Sequence, residues 1–79
     1  MSFIPIIRAV RLIPVLIRAG FRIVRRAGSH IHLEHVLDKS RKVTIPMHDK
    51  DLPKKTLLSI LKQAGVTLQE LFKLLGRKQ

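Results

Sequence analysis

The sequence contains no cysteine, so neither a disulfide nor a thiolate metal site can staple the fold. It has no tryptophan or tyrosine and only three phenylalanines. The core must therefore be built from leucine, isoleucine and valine, and no platform of aromatic rings is available for stacking bases. Acid is scarce as well: five Asp and Glu stand against sixteen Lys and Arg, a formal net charge of +11, and residues 1–33 carry no acid at all. A short chain of that charge density points to a polyanion, either nucleic acid or an anionic membrane. Also missing is an uninterrupted apolar run of the roughly 20 residues that span a bilayer. Arg8, Arg11 and Arg18 break up the apolar stretch from Phe3 to Phe21. A secretion signal would hold its charge ahead of the apolar region, and a mitochondrial transit peptide usually carries more serine. The stretch reads as part of the fold, and the chain as a cytoplasmic protein with no stable membrane association. Its 79 residues read as one small domain, near the size at which a single core supplies only a few kcal/mol.

Arg11, Pro14 and Arg18 form a narrow stripe on a helical wheel, with Leu12, Ile13, Leu16, Ile17 and Ala19 on the broad opposite side. That pattern predicts an amphipathic helix over about residues 10–19, ended by Gly20. Pro14 lies beyond a first turn and removes a backbone hydrogen bond, so the helix is expected to start nearer Leu12 or to kink. Residues 1–8 form an apolar extension, extended around Pro5 and facing a partner.

Phe21–Arg26 and His30–His35 read as a hairpin across the three-residue loop Ala27-Gly28-Ser29, with Gly28 left-handed. The expected register sets Arg26 opposite His30, Val24 opposite His32, Ile23 opposite Leu33 and Arg22 opposite Glu34. A third strand, Lys42–Pro46, follows the turn Asp38-Lys39-Ser40, with Val43 and Ile45 inward. Pro46 cannot donate to a ladder, which makes this an edge strand. Its expected register sets Leu33 opposite Ile45 and His35 opposite Val43, and brings His48 across from His30. Arg26, His30 and His48 would then line up across the sheet.

Asp51 is the expected cap of the next helix, with Pro53 in its first turn, Leu57, Ile60, Leu61 and Ala64 inward, and Gly65 closing it. Thr67-Leu-Gln-Glu70 is a capping box opening a last helix, with Leu68, Leu71, Phe72 and Leu75 inward and Gly76 at its end. The fold class is α+β: a helix, a three-stranded antiparallel sheet, a helix and a short C-terminal helix, with the helices on one sheet face.

Gly20-Phe21, Gly28-Ser29-His30, Val43–Pro46 and, most strongly, the block Leu52–Gly65 resemble the HicA toxin family over residues 9–75. The resemblance implies a double-stranded-RNA-binding-domain-like fold and a ribosome-independent endoribonuclease that cleaves mRNA and arrests growth. It also implies a cognate HicB-type antitoxin encoded beside the toxin, and it maps the family's essential histidine onto His30. The first helix departs from the family, which usually carries more Lys and Glu there and no proline. The resemblance does not account for Phe3 to Ile7.

Cleaving RNA without a metal needs a base for the 2′-hydroxyl, an acid for the leaving 5′-oxygen and cations for the phosphorane. Imidazole titrates near neutrality and serves either proton role, which makes His30 the catalytic candidate. Arg26 is the first candidate for the phosphorane charge, followed by Arg22 and Lys42, and His48 is a candidate second acid or base. Lys54, Lys55 and the tail Arg77-Lys78 suit sequence-independent phosphate attraction. His32 reads as a solvated neighbour of Glu34, and His35 as a boundary residue of the core. No carboxylate or thiolate completes a ligand set with the histidines, so neither metal nor cofactor is expected. An acidic antitoxin surface is expected to face Arg22, Arg26 and Lys42 and to cover His30. Two other readings fit the charge: a non-catalytic RNA-binding module of the same architecture, and a cationic membrane-active protein working through residues 3–19.

Overall fold

The computed structural model describes residues 4–76. Its elements run α1 (Ala9–Arg18), β1 (Phe21–Ala27), β2 (His30–His35), β3 (Lys42–Pro46), α2 (Lys54–Ala64) and α3 (Leu68–Leu74). The three strands form one antiparallel sheet in the order β1-β2-β3. The fold is α+β in the double-stranded-RNA-binding-domain-like arrangement. The alternation of the strands puts Phe21, Ile31, Leu33, Val43 and Ile45 on one sheet face, where they are buried. Leu12 and Leu16 from α1, Leu57 and Ile60 from α2, and Leu71 from α3 complete that core. The other sheet face carries the polar side chains.

α1 starts at Ala9, earlier than its proline suggested, and Pro14 lies inside it. Proline lacks the N–H that would bond the Val10 carbonyl. Both residues are exposed, so water can satisfy that carbonyl and the helix continues past it. Before α1, the chain is tied into the fold: Leu52 N–H donates to the Ile7 carbonyl at 2.9 Å, and Ile7 is buried. Asp51 is not the cap of α2. It bridges Arg8, with 3.9 Å between carboxylate and guanidinium, and Pro53 occupies the N-cap position without a side-chain hydrogen bond. Gly65 ends α2 in the left-handed conformation, as expected. The capping box of α3 is formed in both directions between Thr67 and Glu70. In α3 only Leu71 is fully buried, whereas Leu68 and Leu75 pack against the core and Phe72 is half-buried.

The strand registers differ from expectation in two places. Phe21 to Ile23 pair with His35 to Leu33 as the sequence suggests, but Val24 is then bulged out. Beyond it Arg25 pairs with His32, Arg26 with Ile31 and Ala27 with His30. The extra residue shortens the hairpin loop to Gly28-Ser29, and Gly28 takes φ +58, as a primed two-residue turn with glycine first requires. Between β2 and β3 the connection spans residues 36–41 as the strand bounds predict, but the His35 N–H bonds the Arg41 carbonyl at 3.0 Å and shifts the register by two residues. Leu33 therefore faces Val43, Ile31 faces Ile45, and His30 faces Pro46. The Asp38-Lys39-Ser40 turn sits at the tip of that connection: the Asp38 carboxylate accepts from the Ser40 hydroxyl at 2.6 Å and its N–H at 3.1 Å. β3 is an edge, and Gln63 of α2 takes the Thr44 N–H at 3.3 Å.

Candidate active site

His30 is the first residue of β2, held between Ala27 and Pro46 on the solvated sheet face. The turn before it is anchored, because the Ser29 carbonyl accepts from the Met47 N–H at 2.6 Å where the chain leaves β3. The histidine is exposed, with its ring open to a ligand. Side chains of directly paired residues share a face, which sorts the neighbours into rows. Next to His30 lies the row Arg25, His32 and Thr44, and beyond it the row Arg22, Glu34 and Lys42. His32 Nδ1 is 3.1 Å from the Thr44 hydroxyl, so one ring edge is engaged by β3. Arg22 reaches Glu34 at 3.9 Å, the one carboxylate in these rows. A shallow hollow is lined by Arg25, His32, Glu34, Lys42 and Thr44.

The bulge at Val24 decides which arginine accompanies His30. Arg26 was expected opposite it, but pairs with Ile31 and so belongs to the helix-side face, where it stays exposed at the sheet edge. Arg25 takes the place on the solvated face. It is diagonal to His30, a separation of about 7–8 Å that a long side chain spans. Strict alternation points Arg25 inward, and only the bulge brings it to the solvated face. His48 does not cross from His30 either. It lies beyond β3, exposed, in a hollow with Arg8, Val10, Met47 and Asp49. The expected line of Arg26, His30 and His48 is therefore not formed, whereas Arg22 and Lys42 share the face of His30.

Lys54 and Lys55 are exposed in the first turn of α2, which holds no acid. Two cations at the positive end of a helix dipole make a local attraction for phosphate. Arg77 and Lys78 lie outside the described residues. His35 is structural: its Nδ1 accepts the Leu37 N–H at 3.1 Å, and its ring stands edge-on to Phe21 at 5.1 Å. Arg41 is structural too, donating to the Ala64 carbonyl at 2.8 Å and lying over the Phe21 ring. Among the described residues, no group of three or more His, Asp or Glu could hold a metal ion, and no helix is long and apolar enough to cross a membrane.

Fold and site together define a small basic α+β domain, similar in fold to double-stranded-RNA-binding domains, with an exposed histidine on a cation-lined strand face. The family model of the HicA toxin of bacterial toxin–antitoxin systems matches residues 11–66, well over half of the chain, and the chain belongs to that family. The matched span takes in the Gly28-Ser29-His30 turn and the whole of α2. A search of curated proteins gives no match.

Proposed function

We propose that the chain is a ribosome-independent endoribonuclease that cleaves mRNA by metal-independent acid–base catalysis at His30, and that a cognate HicB-type antitoxin neutralises it. The observation that carries this reading is the exposed His30 on a face whose other side chains include Arg22, Arg25, His32 and Lys42. The 2′-hydroxyl attacks its own 3′-phosphorus while the imidazole takes the hydroxyl proton, and the P–O5′ bond then breaks as the 5′-oxygen gains a proton. The products are a 2′,3′-cyclic phosphate and a 5′-hydroxyl. Arg25 and Arg22 offer guanidinium donors to the phosphorane, and Lys42 a point charge. Arg26, Lys54 and Lys55 attract the RNA backbone from the helix side without reading sequence. His48 lies beyond β3, outside the register that pairs His30 with Pro46, and is a second acid or base only if the RNA itself brings the two side chains together.

Cleavage of a defined mRNA fragment in excess EDTA, with the new ends analysed by mass, tests the proposal. The expected ends are 2′,3′-cyclic phosphate and 5′-hydroxyl. Intact RNA that is nevertheless bound would make the chain a binding module instead, and loss of cleavage on chelation would make the reaction metal-dependent.

A further inference from the structure

The geometry points to a second contact surface: the outward face of α1, together with the segment leading into it, docks an apolar, acid-rimmed segment of the antitoxin. This inference rests on the toxin–antitoxin reading above. α1 buries Ala9, Leu12, Val15 and Leu16 against the core, and its outward side carries Arg11 and Arg18 as an amphipathic helix should. That side also holds an apolar stripe, which includes Ile17 although the helical wheel sets it inward. Val10, Pro14 and Ile17 follow one another at i, i+4 and i+7 on the outside, with Val10 59% and Ile17 47% exposed. Ile6, 80% exposed, extends the stripe, and it lines one hollow with Pro5, Val10 and Leu75. An exposed apolar stripe rimmed by charged side chains marks a contact surface.

Charge selects the occupant. Arg8, Arg11 and Arg18 border the stripe, Arg18 also donating to the Leu74 carbonyl. The one acid in the hollow, Asp51, already faces Arg8. A second copy of a chain with net charge +11 would bring these guanidinium groups together, so the partner must be acidic around an apolar centre. The surface is concave beside Ile6 and holds a carboxylate in its wall. Such a hollow accepts the side chains of a protein segment better than it lies on a lipid plane. α1 covers the inner face of the sheet, so its outward side is turned away from the strand face that carries His30. Antitoxin attachment at α1 is therefore separable from catalysis.

The test uses the full chain and its cognate antitoxin, with affinity measured by titration calorimetry. An Ile6→Glu/Ile17→Glu variant places two acids in the stripe and should bind at least about 30-fold more weakly. Its RNA cleavage should equal that of the native chain, which also reports an intact fold. Ile6→Glu alone, outside any helix, should weaken binding several-fold and guards against misfolding of the double variant. Native affinity in both variants, or no binding by the native chain, overturns the inference. So does loss of binding to phosphatidylglycerol vesicles with antitoxin affinity unchanged, which would assign the stripe to a membrane surface. If neither protein cleaves RNA while the affinities still differ, the ribonuclease reading fails and the docking surface stands.

Discussion

Substituting alanine at Gly20 strains the hinge between α1 and β1 in two ways. The backbone there has φ +102, a conformation that costs a non-glycine residue on the order of 1–3 kcal/mol. A Cβ built on it would also lie 2.7 Å from His35 Nε2 and 3.3 Å from Cε1. The imidazole has little room to retreat, because it is 9% exposed, edge-on to Phe21 and bonded through Nδ1 to the Leu37 N–H. Displacing it costs that hydrogen bond, about 1 kcal/mol, and about 1 kcal/mol or more of packing strain. Gly20→Ala should therefore destabilise by about 3–5 kcal/mol, a large share of the roughly 4–12 kcal/mol expected of a chain this long. Gly28→Ala is the control. Its φ is +58 but a Cβ there meets open space, so only the left-handed cost of about 1 kcal/mol applies. Urea denaturation of both variants should separate them by at least about 2 kcal/mol. Equal midpoints would refute the claim that the Gly20–His35 contact is rigid.

Thr67→Ala removes the acceptor of the Glu70 N–H and should cost about 1 kcal/mol in the same assay. The Asp38 carboxyl is held below its ordinary 3.8 by the Ser40 hydroxyl and N–H, and Glu70 below its ordinary 4.5 by Thr67. Because both folded values are depressed, their contribution is present above the ordinary values and is lost as pH falls through the folded ones. An Asp38→Asn/Glu70→Gln variant should therefore show a flatter fall in melting temperature from about pH 6 to about pH 2. Arg25→Ala should lower kcat/KM for RNA cleavage by roughly 10- to 100-fold and Arg26→Ala by only a few-fold, and the reverse ranking would put the scissile phosphate on the helix side.

The inward positions of α2, the capping box and the inward alternation of β2 and β3 were legible in the sequence, because each is set by local period or local hydrogen bonding. The register near the turn was not. Ile23-Val24 and Arg25-Arg26 are two successive pairs of like character, and both break the period of two. That double break is the sign of the bulge in the sequence, and a strand of unbroken alternation would set Arg26 instead of Arg25 on the face of His30. The bounds of β2 and β3 match the expectation, and only their register differs, by two residues, because the His35 N–H bonds the Arg41 carbonyl and closes the loop there, with Val36 and Leu37 exposed in it. Asp51 looked like a cap because its charge suits a helix N-terminus, but Arg8 lies nearer in the fold than any sequence window reveals. The proposal of His30 as the reactive residue rests on the family motif, because strand alternation alone ranks it with His32.

The most direct measurement compares purified native protein with His30→Ala in RNA cleavage and RNA affinity under one salt condition. The substitution removes an exposed ring with no core contact, so melting temperature and RNA Kd should be unchanged. Cleavage should fall by about 100-fold or more, the range expected for loss of a positioned acid or base. Undiminished cleavage by His30→Ala would contradict the account, whatever the fate of the arginines.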